Sequence, residues 1–167
     1  MGAWFKKNYV HFVAVGIFLI VSMIFYRPAL KGLIPQMHDI QTHRSSAKEL
    51  MDFKNLTGEK SNWTSRTFSG MPSYQILNDY PKAIPKFLLN VITLWLPYPI
   101  NMMFLLMLCL YILFMCLKVD PWLAIIGSVC FGFFTHFLNI MGAGHTSKTH
   151  AMAYIPAILG TFYGVIT

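Results

Sequence analysis

From residue 9 to residue 26 the chain carries no Lys, Arg, Asp or Glu. A helix of that length rises about 27 Å, enough to cross the hydrocarbon core of a bilayer. Three more charge-free apolar runs follow, at residues 100–117, 122–140 and 151–167. In lipid each such run must satisfy its own backbone polar groups, and a helix does so within one segment. The pattern therefore predicts an all-α membrane protein of about four transmembrane helices. Composition agrees, with 56% apolar and 11% charged residues. The first run ends in Tyr26-Arg27-Pro28-Ala29, without a small-x-small cleavage site, so it reads as an uncleaved helix and not a signal peptide. The sequence stops inside the last apolar run. We expect residues 1–167 to be a single truncated transmembrane domain, the N-terminal part of a longer protein.

Ionisable chemistry is concentrated in the first loop, residues 27–99. Nine of the thirteen Lys/Arg and five of the six Asp/Glu lie between residues 27 and 86. The net charge of +7 has no nucleic-acid pattern around it. It suits a surface near anionic lipid headgroups, so membrane lipids are the expected partners and nucleic acid is not. Cys109, Cys116 and Cys130 all sit in apolar runs and read as small core- or lipid-facing residues.

Within the loop, residues 45–54 predict a short helix with Ala47, Leu50 and Met51 on one face and Gly58 as its stop. Gly70 and Pro72 predict a turn among aromatic neighbours. Asn55-Leu56-Thr57 and Asn62-Trp63-Thr64 match the glycosylation pattern, which has meaning only in a eukaryotic secretory pathway. Residues 85–96 carry Lys86, Asn90 and Thr93 at helical spacing on an otherwise apolar stretch. That predicts an amphipathic helix in the membrane interface, its polar stripe facing water. With two spans between them, the first loop and residues 142–150 emerge on one side. Lys and Arg near the span ends lean weakly toward a cytoplasmic loop.

Asp39 is the leading candidate for chemistry. A carboxylate held near the membrane can take a proton from an acceptor hydroxyl or help hold a metal; it can equally be the N-cap of a helix. His38 and His43 flank it at a spacing that points to solvated side chains more than to a metal pair. The segment Gly144-His145-Thr146-Ser147-Lys148 brings backbone N–H groups, hydroxyls, an imidazole and an ammonium to a helix start, which suits phosphate. It also reads as a polar connection with a snorkelling Lys148. Thr135, His136 and Asn139 form a polar face expected to turn into the bundle.

Taken in order, Gln36-x-His38-Asp39-Ile40, Ala47-Lys48-Glu49-Leu50-x-Asp52-Phe53, Thr57-Gly58-Glu59 and Trp63-Thr64 form the first part of a longer pattern. It continues with Phe68-x-Gly70-Met71-Pro72-x-Tyr74-Gln75-Ile76, Leu117-Lys118-Val119-x-Pro121-Trp122-Leu123 and Ala143-Gly144-His145-x-Ser147-Lys148. The set resembles the N-terminal part of bacterial YfhO-type membrane proteins, whose usual member is several times longer. That family is similar to GT-C glycosyltransferases. The resemblance implies a multi-pass protein of the bacterial cytoplasmic (inner) membrane with its first loop extracytoplasmic, against the charge count. It implies transfer of a sugar from a polyprenyl-phosphate carrier to an extracytoplasmic acceptor. Asp39 would be the catalytic base, and residues 85–96 the surface helix. His38, Arg44, His145 and Lys148 would bind substrate and neutralise the leaving phosphate. Trp63, Tyr74 and Gln75 would contact sugar or pack the loop. No cofactor is specified, and a divalent metal would find one acid, Asp39, instead of a paired motif. The missing C-terminal part would be needed for activity. The alternative is a transporter or flippase-like protein, marked by internal repeats and broken helices, or a structural membrane protein without catalysis.

Overall fold

The computed structural model describes residues 2–33, 35–76 and 84–166. In chain order the elements are α1 (Gly2–Phe25), α2 (Arg27–Leu30), α3 (His38–Thr57), β1 (Trp63–Thr64), β2 (Met71–Pro72), a 3-10 turn (Ser73–Gln75), α4 (Ile84–Ile92), α5 (Ile100–Cys116), α6 (Pro121–Gly132), α7 (Thr135–Ala143) and α8 (Thr146–Ile166). They fall into two compact units. One joins Met1–Pro35 to Pro85–Thr167, and the other is Gln36–Ile84.

The first unit is a helical bundle built around α5, which packs against α1, α6 and α8. Met103, Phe104, Met107 and Tyr111 bury one side of α5 against Ala14 and Phe18 of α1 and Ala124 and Ile125 of α6. Met102, Leu105, Leu106 and Cys109 bury another against Phe137, Ile140 and Met141 of α7 and Ala153 of α8. Close approach depends on missing side chains: a Cβ on Gly160 would stand 2.9 Å from the Leu113 Cα, and one on Gly132 2.7 Å from the Met107 Cγ. A hydrogen bond of 2.7 Å joins His11 Nδ1 to Tyr111 Oη across α1 and α5. The outer surface is apolar, with Ile20, Ile24, Leu123, Ile126, Ile158 and Phe162 all exposed. Apolar residues on both the inside and the outside are what hydrocarbon solvent permits and water does not. Of the cysteines, Cys109 is buried, Cys116 half-buried and Cys130 exposed, and all are free.

Among the described residues two helices are long and apolar enough to cross a membrane: α1, over Asn8–Phe25, and α8. A third crossing is made if α6 and α7 count together, for they are bent by 44° at their junction. The run expected as one span at 122–140 is thus broken. Gly132 ends α6, Phe134 takes an extended conformation before α7, and Phe131, Phe134 and Phe137 pack edge to face around the corner. The run at 100–117 forms α5, apolar but for Asn101 and shorter than those two helices.

The surface helix differs from its expected posture. Of its polar stripe, Asn90 is half-buried and Thr93 fully buried, while Phe87, Leu88, Val91, Ile92, Leu94 and Trp95 are exposed. The Thr93 hydroxyl donates to the Leu89 carbonyl at 2.8 Å, so it needs no water. Apolar side chains outnumber polar ones here, and they turn outward. The side chain of Lys86 lies outside the described residues.

The second unit is a polar helix with a small hairpin on it. Its helix α3 begins at His38, well before the expected residue 45, and stops at Gly58 as expected. Gly58 adopts a left-handed φ of 76° and its N–H donates to the Lys54 carbonyl at 2.9 Å, the usual glycine stop. Strands β1 and β2 pair antiparallel, Trp63 opposite Pro72 and Thr64 opposite Met71, where a bare turn was expected. The core is Ala47, Leu50 and Ile76, with Met71 packed beside them. Hydrogen bonds supply the rest. Thr64 Oγ1 donates to Glu49 Oε2 at 2.8 Å, and Ser73 Oγ donates to the Ser61 carbonyl at 2.7 Å.

Candidate functional site

The expected N-cap role for Asp39 is not the one it takes. Met37 occupies the extended cap position, and Asp39 lies in the first turn of α3. An acid there meets the positive end of the helix dipole. It also begins a face: Asp39, Thr42, His43 and Ser46 fall at the i, i+3, i+4, i+7 positions of one helix side. That face lines an open cavity of about 320 Å³, with Thr67, Phe68, Met71 and Ile76 from the hairpin and the turn after it on its other side.

His43 holds the two sides together. Its Nε2 lies 2.5 Å from the Ile76 carbonyl oxygen. A carbonyl only accepts, so Nε2 carries the proton and donates it to Ile76. The hairpin tip is the unusual part. Gly70 N–H donates to the Thr67 carbonyl at 2.9 Å, closing a turn whose central residues are Phe68 and Ser69. Both are left-handed, with φ of 52° and 60°, and Phe68 is 88% exposed. Left-handed pairs normally fall to Asn and Gly, and a bulky residue there is strained.

The other expected site residues distribute differently. His38 and Arg44 are exposed on α3 and do not line the cavity; Arg44 is about 140° round the helix from Asp39. Trp63 is half exposed and lies against Gly70, where a Cβ would come within 2.8 Å of the ring. That is a packing contact, and Gly70, at φ 121°, is the glycine that permits it. Tyr74 is exposed in the 3-10 turn, outside the cavity. The side chain of Gln75 lies outside the described residues. Among the described residues no three His, Cys, Asp or Glu side chains gather as a metal-ion site.

His145 and Lys148 belong to the bundle unit. Gly144, at φ 98°, caps α7, and the N–H groups of Gly144 and His145 both donate to the Ile140 carbonyl. Those N–H groups are therefore engaged in ending α7. His145, Ser147 and Lys148 are exposed at the start of α8. Nearby, His150 Nδ1 donates to the Thr146 carbonyl at 2.8 Å, and its buried Nε2 has no partner among the described residues. Asn101 Oδ1, in the first turn of α5, is a buried acceptor that likewise has no partner among the described residues. Tyr98 Oη donates to the Met141 carbonyl at 2.6 Å; burial pushes its phenol up to about 12, and Tyr26 adds to the rise. The expected inward polar face of α7 is reversed, for Thr135, His136 and Asn139 are all exposed. On α7 the buried positions are taken by Phe137, Ile140 and Met141, whose apolar contact with α5 decides the helix rotation.

Sequence reasoning missed Thr42, Ser46, Thr67 and Phe68. The first two were legible only once α3 reached back to His38, because the face exists only on an unbroken helix. Phe68 carried no local sign of its backbone state. Compared with models of protein families, with curated proteins and with solved structures, the chain matches none.

Proposed function

We propose that this chain is the N-terminal part of a membrane-embedded glycosyltransferase of GT-C type, related to the YfhO-type proteins its sequence resembles. The observation that supports this most is the cavity in the polar unit, which places one carboxylate, Asp39, among hydroxyls and beside an exposed ring. In this reading the bundle crosses the bacterial cytoplasmic membrane four times, with α5 and the bent α6–α7 pair as the second and third crossings. The polar unit faces outward. Asp39 accepts the proton of an acceptor hydroxyl while that oxygen attacks the sugar C1. The bond from C1 to the carrier phosphate oxygen breaks, the polyprenyl phosphate leaves with the electron pair, and the sugar carbon inverts.

A second reading is favoured by one feature. The bend between α6 and α7 is the kind of broken helix that transporters place near the membrane midplane. A flippase-like protein for lipid-linked cargo would use the exposed Thr135, His136 and Asn139 there.

The test is transfer of radiolabelled sugar from polyprenyl-phosphate donors by the full-length protein in membranes. Asp39→Asn is expected to lower the rate about 10²- to 10⁴-fold with insertion unchanged. Wild-type transfer from Asp39→Asn, or none from the wild type with any donor, would overturn the enzyme reading.

A further inference from the structure

The tip of the hairpin in the polar unit carries two aromatic rings and an arginine. Strands β1 and β2 pair Trp63 with Pro72 and Thr64 with Met71. Thr64 turns to α3, where its hydroxyl donates to Glu49, so the neighbouring side chain, Trp63, turns the other way. The Trp63 indole reaches over the tip: a Cβ on Gly70 would stand 2.8 Å from its Cζ2 and 2.9 Å from its Nε1. Trp63 is still 55% exposed, and Phe68, two residues before Gly70, is 88% exposed. Arg66, between β1 and the tip, is exposed as well.

Folding of the unit does not account for a phenylalanine at position 68. Phe68 and Ser69 hold consecutive left-handed conformations, at φ of 52° and 60°, which suit Asn or Gly and strain an aromatic residue. The ring regains little by burial within the unit, since most of its surface stays outside. A strained residue that persists points to a use. Burial in an apolar phase outside the unit is such a use, because it takes from water the surface that folding leaves there. The chain carries that phase with it. In sequence the unit lies between α2 and α4 of a bundle whose outer surface is apolar, so both its ends are tied to helices fit for lipid. The residue types at the tip also match a bilayer surface. Trp settles at headgroup level, Phe goes beneath it, and Arg extends its charge to anionic headgroups.

We infer that the hairpin tip is a contact with the lipid bilayer: Phe68 enters the boundary between headgroups and acyl chains, the Trp63 indole lies at headgroup level, and Arg66 meets lipid phosphate. The contact anchors the polar unit to the membrane surface at a point far in sequence from its two ends. The inference rests on the bundle being embedded in a membrane and is independent of the sugar-transferase reading.

The test is tryptophan quenching on the full chain in nanodiscs, with Trp4, Trp95 and Trp122 replaced by Phe so that Trp63 reports alone. Lipid brominated near the top of the acyl chain is expected to quench Trp63, and aqueous iodide is expected to be excluded. Phe68→Asn suits the left-handed backbone and removes the ring. It is expected to leave residues 36–76 folded by limited proteolysis, while quenching by bromolipid is lost and quenching by iodide appears. Arg66→Gln is expected to weaken immersion about fivefold in discs that contain phosphatidylserine and to change little in zwitterionic ones. The inference is overturned if iodide reaches Trp63 freely before Phe68 is changed, which leaves the tip in water. It is overturned if neither quencher reaches Trp63, which puts protein over the tip. It is also overturned if Phe68→Asn unfolds the unit, which makes the ring structural, or if Phe68→Asn keeps the bromolipid quenching. Equal effects of Arg66→Gln in both lipids would remove Arg66 from the contact. Lipid quenching of Trp63 without sugar transfer from any donor would sink the enzyme reading and keep the membrane contact. Transfer that needs Asp39, with Trp63 open to iodide, would do the reverse.

Discussion

The two units solve opposite solvent problems. The bundle buries apolar side chains around α5 and also exposes them outward, as Ile24, Leu123 and Phe162 show. Among the described residues the polar unit has four buried apolar side chains, Met37, Ala47, Leu50 and Ile76, of which the last three form its core cluster, and it ties itself together through His43, Thr64 and Ser73. A chain in hydrocarbon gains nothing by hiding methyl groups, so its helices depend on close packing. A chain in water gains by hiding them, but a unit this small has few to hide and leans on each. The bundle should therefore be sensitive to added atoms, and the polar unit to removed ones.

Leu50→Ala should break the polar unit first. Deleting a buried leucine costs about 2–5 kcal/mol, and this core has little else. Limited proteolysis should then cut within residues 36–76 while the bundle stays protected; equal protection of both would refute the division of labour. Gly160→Ala tests the other half. The added Cβ meets the Leu113 backbone at 2.9 Å, so α8 must move off α5, at about 1–3 kcal/mol. Thermal unfolding in detergent should fall, and the same change at Gly164, which has open space around it, should not lower it through packing. The smallest effect belongs to Tyr98→Phe, which loses the bond to the Met141 carbonyl, worth about 0.5–1.5 kcal/mol. Because the folded phenol is raised to about 12 from the ordinary 10, its contribution is complete below pH 10 and is lost as pH rises toward 12. Wild-type stability should drop across that window more steeply than that of Tyr98→Phe.

Legibility follows the same divide. The charge-free runs predict helices wherever they stand, and α1, α5 and α8 appear within them or extend beyond them. Their rotations were not legible: Thr135, His136 and Asn139 were expected inward and face outward, because Phe137, Ile140 and Met141 make the better contact with α5. The stripe of α4 turned for a related reason, since the Thr93 hydroxyl satisfies itself on the Leu89 carbonyl. In the polar unit the stop at Gly58 was readable because a left-handed glycine is a local signal. The start at His38 was not, because His-Asp-Ile-Gln-Thr-His has weak helix preference and its order depends on the His43–Ile76 link across the unit.

By itself, the sequence determined that this is a helical chain with segments fit for lipid and one charged insert, and it singled out Asp39 within that insert. Hydropathy and charge are local sums, and they do not depend on what packs against them. Only the tertiary structure decided that the third apolar run is broken and that Asp39 shares a cavity with Thr42, Ser46, Thr67 and Phe68. Those results depend on contacts between residues far apart in the chain, where packing and hydrogen bonds outweigh the preference of any single residue.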